Sequence, residues 1–271
     1  MNWKLLDSSS EIITGIINKW QRLIDMHAKE LDYHDFIKRH ANLFLVDGLD
    51  SHFVISKLKL GSDYELDFAV PYDEGSRGLT WELIEIEKPQ DVPYTKSGAP
   101  SMFLNRATQQ IRDWKRWIQS NRSLAMRMFS TLGVRVSRLP NFTFTVIIGT
   151  RENSQRWLQE RNQYADENCI QIRSYDYLTD RLKKRMYFDR TFIASAEWEQ
   201  VDERLTEKLA NPFLMAFTDS EWKDLINELG PHGSHFTAAA CKLLVERGNY
   251  NSDLMKKIRT LRAGVASDEY K

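Results

Sequence analysis

The side chains best suited to chemistry are carboxylates on two neighbouring predicted strands. In the segment YELDFAV, alternation places Asp67 on the face opposite the large apolar residues. In the segment WELIEIEK, Glu85 and Glu87 share a face with the apolar residues Trp81 and Leu83. If the two strands pair as a hairpin, Asp67 lies beside Glu85. The two segments therefore predict three carboxylates at one end of a largely buried strand pair.

Carboxylates this close repel one another and are costly to desolvate unless a cation or protons neutralise them. A divalent ion neutralises such a set, and Mg²⁺ or Mn²⁺ suits hard carboxylate ligands. Such an ion polarises a phosphoryl oxygen and makes bound water more acidic. The competing interpretation is a solvated sheet face with glutamates at strand ends. We favour the metal site because Glu85 and Glu87 continue an otherwise apolar face.

A glutamine on the next predicted helix gives a second indication. Phe103, Ala107, Trp114 and Trp117 recur at three- and four-residue spacing, and Gln110 lies in the middle of this stripe. A glutamine that faces the core costs about 1–3 kcal/mol unless it has hydrogen-bond partners. A carboxylate cluster or metal-bound water below the helix would supply such partners, and so would a neighbouring backbone group.

Positioning these residues requires a sheet and flanking helices. Ser9 or Ser10 can cap a first helix, and DFIKRHANLFL predicts a second. FVISKLKL, YELDFAV and TWELIEIE predict three successive strands, followed by a helix over about 101–121. FTFTVIIG and CIQIRS predict two more strands, with helices over about 154–166 and 175–187. Beyond about residue 189 the pattern is helical only. This order predicts an α/β or α+β core.

The composition allows a sizeable core, since 42% of the 271 residues are hydrophobic. The sequence has no apolar stretch of about 20 residues, the length that spans a membrane, and its beginning lacks the layout of a signal peptide. We therefore expect a soluble, cytoplasmic protein without a membrane partner.

The overall charge gives no attraction to nucleic acid, because 38 basic residues balance 38 acidic ones. The distribution is uneven: between Leu104 and Arg138, eight basic residues accompany one acid, a local net charge of +7. A local basic region can hold a phosphate backbone even in a neutral protein, although a solvated helix face has the same composition. The candidates for nucleic-acid binding are Arg106, Arg112, Lys115 and Arg116.

The order of these motifs, an aspartate followed by E-I-E-K-P and then Q-x-x-x-W, resembles the PD-(D/E)XK nuclease superfamily. More narrowly, it resembles the nuclease domain of Shedu anti-phage defence proteins. The matching segments are Asp67 with Phe68, WELIEIEKP, and Gln110 with Trp114. The segments NFTFTVIIGTRE through YDYL and DFIKRHANLFL are similar to a later strand and a preceding helix of that family. The resemblance covers about residues 30–187.

By this resemblance Asp67 and Glu85 would bind the metal, and Glu87 stands where the family usually has its catalytic lysine. The nearest lysine is Lys88, which strand alternation directs to the opposite face unless a bulge turns it. Some restriction endonucleases use glutamate at this point, and a third acid favours holding a second metal or acting as a general base. The catalytic candidates are Asp67, Glu85, Glu87, Lys88 and Gln110, with the first three as Mg²⁺ or Mn²⁺ ligands and Glu30 as a supporting acid.

The resemblance implies a metal-dependent DNA endonuclease, acting in anti-phage defence and assembled as a homo-oligomer. Two alternatives stay open. A protein that keeps the nuclease fold without catalysis would act as a nucleic-acid-binding or assembly module. An RNA-cutting enzyme on the same scaffold would look alike, because no reader of the 2′-hydroxyl is visible.

The expected architecture is an α/β fold with a restriction-endonuclease-like mixed sheet flanked by helices. We expect an N-terminal helical segment over residues 1–50 and the nuclease core over 51–190. A helical C-terminal appendage is expected over 191–271.

Overall fold

The fold is α/β, with five strands and nine helices in the described part of the chain. The computed structural model describes residues 3–46, 53–73, 78–129, 140–192, 214–229, 244, 247–254, 256 and 260. The strands are β1 (Ile55–Leu60), β2 (Tyr64–Asp73), β3 (Leu79–Ile86), β4 (Asn141–Ile147) and β5 (Gln171–Arg173). The helices before the sheet are α1 (Trp3–Asp25), α2 (Glu30–Arg39) and α3 (Ala41–Phe44). Those that follow are α4 (Met102–Ser120), α5 (Arg122–Met128), α6 (Arg151–Ser154), α7 (Leu158–Asn168), α8 (Tyr175–Phe192) and α9 (Asp219–Leu229).

The sheet has the order β1-β2-β3-β4-β5 and is mixed. The pairs β1–β2 and β2–β3 are antiparallel, and few residues separate the strands of each pair in the sequence. The strands β4 and β5 run parallel to β3, each reached through helices. The predicted strands and the mixed sheet flanked by helices are thereby confirmed.

Two apolar layers cover the two faces of the sheet. The first layer packs α4 on β3 through Trp81, Leu83, Trp114 and Ile111. The second packs α1, α2 and α8 on the other face, with buried side chains that include Trp20, Tyr33, Ile84, Ile86, Tyr175 and Leu178. Burial on both faces explains why β3 alternates between two apolar sets rather than between apolar and polar residues.

Two helix predictions need correction. The first helix begins at Trp3, so neither Ser9 nor Ser10 caps it; a helix of 23 residues tolerates the modest helix propensity of serine. The segment DFIKRHANLFL forms two helices rather than one. His40 has φ −122° and ψ 31°, which ends α2 and precedes α3.

The helix after β3 agrees with its prediction. The Ser101 side chain caps α4 by accepting a hydrogen bond from the Leu104 N–H, and Asn121 ends the helix. Its buried stripe includes Ala107, Trp114 and Trp117, as the spacing predicted.

The described C-terminal residues pack on the sheet. Phe217 and Trp222 belong to the first apolar layer, and Phe217 exchanges main-chain hydrogen bonds with Val54 and Ser56. Because α8 extends to Phe192, it runs past the boundary expected at residue 190. The division into three regions stays a prediction. Within the described residues, no helix has both the length and the apolar character needed to cross a membrane.

Candidate functional site

The centre of the site is the point where β2 and β3 diverge. Their register ends at the pair Phe68–Ile84, so Asp67 and Glu85 follow on opposite sides of the divergence. From there β2 continues beside β1, while β3 continues beside β4 with Glu85 opposite Val146. The Asp67 side chain accepts a hydrogen bond from the residue after Glu85, so Asp67 and Glu85 lie close together. We call Asp67, Glu85 and Glu87 the acidic site.

Asp67 is held by one bond to each carboxylate oxygen. Oδ1 accepts a hydrogen bond from Lys57 Nζ at 2.5 Å, and Oδ2 accepts one from the Ile86 main-chain N–H at 2.8 Å. The second bond satisfies a β3 donor beyond the last β2–β3 pair. The side chain of Asp67 therefore joins the two diverging strands and is itself fixed in direction.

The strict alternation expected for β2 is wrong at this point. Leu66 and Ala69 both pack into the first apolar layer, while Phe68 and Val70 pack into the second. On β1, Lys57 lies opposite Asp67, between the pairs Ser56–Phe68 and Leu58–Leu66, and has φ 54°. A left-handed residue inside a strand shifts the faces by one position, as β-bulges do.

Glu85 is a buried carboxyl without a hydrogen-bond donor. Its exposed fraction is 7%, and within the described residues neither a hydrogen bond nor an ion pair reaches its oxygens. Burial raises the pKa of Glu85 well above the usual value, and the charges of Asp67 and Glu87 add to this shift, while Lys57 opposes it. A buried acid in this state is costly unless a proton or a cation accompanies it.

Glu87 is paired with an arginine from α4. Arg106 Nε lies 3.2 Å from Oε1 and Arg106 Nη2 lies 2.5 Å from Oε2, a two-point contact to a carboxylate that is 1% exposed. Burial raises the pKa of Glu87, whereas the bonds from Arg106 favour its ionised form. The hydrogen bond to Glu87 raises the pKa of Arg106, so the guanidinium stays charged.

The second apolar layer supports the acidic site from the other face. The His34 ring stacks on Phe68 with centroids 4.6 Å apart, and its Nε2 lies 3.5 Å from the Asp67 carbonyl oxygen. Burial lowers the pKa of His34. The Tyr175 hydroxyl donates to the Glu87 carbonyl oxygen at 2.7 Å. Glu30 is exposed at the first position of α2, and its charge contributes to the raised pKa values of Glu85 and Glu87.

Two further candidates make other contacts. Lys88 Nζ lies 3.7 Å from Asp91 Oδ1, an ion pair that does not include the acidic site. The buried Oε1 of Gln110 has no hydrogen-bond partner among the described residues. Gln110 lies one helical turn after Arg106 on α4.

The structure offers a divalent ion fewer carboxylate ligands than the sequence suggested. No group of three or more His, Cys, Asp or Glu side chains in the described ranges is arranged to hold a metal. Glu87 is engaged by Arg106, which leaves the oxygens of Asp67 and Glu85. Mg²⁺ commonly takes one or two carboxylates and completes its shell with water and substrate phosphates. The chemistry of these two residues therefore fits Mg²⁺ or Mn²⁺.

The basic candidates on α4 have distinct local partners. Arg112 Nη2 donates to Asn168 Oδ1 at 2.7 Å, and Lys115 Nζ donates to the Asn168 carbonyl oxygen at 2.7 Å. Lys115 also lies over the Phe144 ring, 4.7 Å from its centroid. Arg116 pairs with Asp113 at 2.8 Å. Arg112 and Lys115 therefore contact neutral acceptors, which leaves their positive charge uncompensated.

Sequence reasoning missed Lys57 as a residue of the site. In FVISKLKL, Lys57 and Lys59 look like two equivalent solvent-facing positions of an amphipathic strand. Lys57 contacts Asp67 because the β1–β2 register places the two residues opposite each other, and the local sequence around Lys57 does not show that register. The Glu87–Arg106 pair was missed because Arg106 was assigned to the basic helix face.

A family model described as "Shedu protein SduA, C-terminal" matches residues 27–179, more than half of the chain. The match contains all five strands and the acidic site. No curated protein matches the chain.

Proposed function

The chain belongs to the Shedu protein SduA C-terminal family, and from this premise we propose that it is a metal-dependent DNA endonuclease. Family membership suggests a place in anti-phage defence. The sheet order, with an antiparallel hairpin followed by a parallel strand, supports the further proposal of a PD-(D/E)XK-like core.

One observation carries the proposal: the buried Glu85 carboxyl has no donor in the described structure and lies beside Asp67. Structural acids of this kind are normally paired, because an unpaired buried carboxyl opposes folding. Buried carboxyls that lack a partner are usually found at cation-binding or catalytic sites. The neighbours support this interpretation, since Asp67 is already fixed by two bonds.

In the proposed reaction Asp67 and Glu85 hold the metal and Arg106 contacts a backbone phosphate. A bound Mg²⁺ or Mn²⁺ supplies polarisation of the phosphate and increased acidity of water. A water oxygen forms a bond to phosphorus while the bond from phosphorus to one ester oxygen breaks. The water loses a proton to a base, and the leaving oxygen takes one up. Arg106 uses Nε and Nη2 for Glu87, which leaves Nη1 on a side chain that is 58% exposed.

The test is incubation of purified protein with plasmid and linear DNA in Mg²⁺ or Mn²⁺. We expect cleavage by the wild type and its loss in Asp67→Ala and Glu85→Gln. Glu82→Gln is the matched control, because Glu82 is on the same strand and only accepts a bond from Thr145. A parallel assay with single-stranded RNA distinguishes a DNA endonuclease from an RNA-cutting enzyme. The proposal is rejected if the wild type is inactive on every DNA, or if both site variants cleave normally.

A second candidate function is a nucleic-acid-binding or assembly module without catalysis. Its motivating observation is that Lys57 and Arg106 already pair with two of the three acids. This candidate predicts DNA binding without hydrolysis and no calorimetric signal for Mn²⁺. The homo-oligomer also stays a proposal, and light scattering coupled to size-exclusion chromatography measures it directly.

A further inference from the structure

Lys57 has a backbone conformation that a strand residue rarely adopts. Its φ is 54°, inside β1. The two other described non-glycine residues with positive φ lie outside strands: His27 follows α1, and Cys169 ends α7. Such a conformation costs on the order of 1–3 kcal/mol and persists only where surrounding contacts hold it. Conformations of this kind concentrate at functional sites.

The Lys57 side chain contacts the acidic site, and Lys57 lies opposite Asp67 in the β1–β2 hairpin. Its ammonium nitrogen lies 2.5 Å from Asp67 Oδ1 and 3.6 Å from Glu65 Oε1. The same distortion coincides with the position where β1 and β2 change faces, so Lys57 and Asp67 both fall between the two regular halves of the hairpin. The backbone strain and the ion pair therefore belong to one arrangement.

The ammonium remains accessible. The side chain is 40% exposed, whereas that of Asp67 is 9% exposed. An ammonium has three donors, and the bond to Asp67 uses one of them. A donor on the solvent side can meet an oxyanion that approaches Asp67 and Glu85.

We propose that Lys57 is a catalytic residue of this site: its ammonium donates a hydrogen bond to the phosphate that is being cleaved. The inference rests on the proposed endonuclease function. A lysine on β1 then supplies the positive charge that is lacking at the position of Glu87, after β3. The Lys88 ammonium lies 3.7 Å from Asp91 Oδ1, outside the acidic site, so the geometry favours Lys57.

The experiment compares Lys57→Met and Lys57→Gly with the control Lys59→Met. Glycine adopts φ 54° freely, so Lys57→Gly removes the ammonium without adding backbone strain and protects the test against misfolding. Lys59 is exposed on the same strand. Each protein is assayed for DNA cleavage at saturating substrate, for Mn²⁺ affinity by calorimetry without DNA, and for Tm.

We expect both Lys57 variants to lose about 100-fold in kcat, the size typical of a donor to developing charge. Mn²⁺ affinity should rise about three- to tenfold, because a cation next to the metal ligands has been removed. Lys59→Met should stay within about twofold of the wild type in both measurements. Slower turnover together with tighter metal binding is not the result of a disordered site.

Four outcomes overturn the inference. If both Lys57 variants cleave DNA at the wild-type rate, the catalytic role of Lys57 is rejected, while the endonuclease function still holds. Loss of Mn²⁺ binding together with cleavage gives Lys57 a structural role instead. A larger loss in Lys88→Met than in Lys57→Met assigns the lysine role elsewhere. If the wild type itself cleaves no DNA, the proposed function fails, and the catalytic role of Lys57 fails with it.

Discussion

Arg106 contacts both carboxylate oxygens of Glu87, with Nε 3.2 Å from Oε1 and Nη2 2.5 Å from Oε2. The pair joins the end of β3 to the first third of α4, across the face that also carries Asp67 and Glu85. Sequence reasoning expected a metal to neutralise Glu87. In the structure a second element of the same chain does so.

Arg106→Met should destabilise the protein, because it leaves Glu87 charged at 1% exposure. We expect a loss of about 2 kcal/mol in the free energy of unfolding. This is below the ~3–5 kcal/mol of a fully buried pair, since the arginine side chain is 58% exposed. The double variant with Glu87→Met should recover most of the loss. Urea unfolding of both variants measures the difference. Equal stability of wild type and Arg106→Met would contradict the assigned pair.

Glu85→Gln should stabilise the protein in metal-free buffer while removing its response to Mn²⁺. Burial beside Asp67 and Glu87 raises the pKa of Glu85, so its ionised form opposes folding at neutral pH. Glutamine removes that charge, and we expect a Tm about 2–4 °C higher, roughly 1 kcal/mol for a domain of this size. Mn²⁺ should raise the Tm of the wild type but not of the variant. Differential scanning calorimetry with and without Mn²⁺ checks both, with Glu82→Gln as control. A lower Tm for Glu85→Gln without metal would contradict the unpaired state.

Gly149→Ala should be much more damaging than Gly248→Ala. Both glycines have a left-handed φ, +68° and +69°, so both variants incur the ~1–2 kcal/mol that this conformation costs alanine. A Cβ on Gly149 would also lie 2.7 Å from Asn153 Oδ1, 2.9 Å from Pro93 Cδ and 3.1 Å from the Asp91 carbonyl oxygen. A Cβ on Gly248 would meet no other heavy atom within 4 Å among the residues that the structure describes. We expect a total loss of about 3 kcal/mol for Gly149→Ala by urea unfolding. Similar losses in the two variants would show that the neighbours of Gly149 adapt.

Stability should fall between pH 7 and pH 5, in part because of His40. Burial lowers the pKa of His40 to about 4, with the charges of Lys19 and Arg39 acting in the same direction. The unfolded chain takes up a proton near pH 6.5, whereas the folded protein does not, so this group opposes folding as the pH falls from 6.5 towards 4. By this linkage His40 accounts for a loss of about 2 kcal/mol at pH 5.

His40→Phe tests this contribution, since phenylalanine keeps a ring beside Phe36 and does not titrate. The variant should lose about 2 kcal/mol less than the wild type on moving from pH 7 to pH 5. Chemical unfolding at the two pH values gives the comparison. A parallel decline of the two proteins would show that His40 titrates normally in the folded state.

The part of the site that could be predicted is the part that follows from strand periodicity. Glu85 and Glu87 share a face with Trp81 and Leu83 because β3 is regular, and Asp67 meets Glu85 because β2 and β3 are close in the sequence and pair as a hairpin. The strand β4 and the helix α4 were equally visible, since each has a clear apolar pattern. These features depend on local sequence alone.

The missing part depends on contacts between distant segments. Lys57 and Lys59 have the same local pattern, and they differ in the residue of β2 that lies opposite and in the left-handed backbone at Lys57. The alternation expected for β2 fails at Asp67 for the same reason, because the distortion in β1 shifts the opposite strand. Arg106 looked like one cation of a basic helix, yet its position above β3 gives it a buried partner. Three-dimensional pairing, rather than residue type, decides such roles.

The main-chain hydrogen bonds of Phe217 cover the edge strand β1 of the sheet. β1 is the first strand in the order, and a strand in that position offers unpaired amides and carbonyls to any other chain. Phe217 takes up the Ser56 amide and the Val54 carbonyl oxygen, and Asp219 accepts from the Lys59 amide. A protein shortened to end before residue 214 would therefore expose unpaired main-chain groups of the edge strand β1. It should self-associate into aggregates even where its catalytic groups are intact.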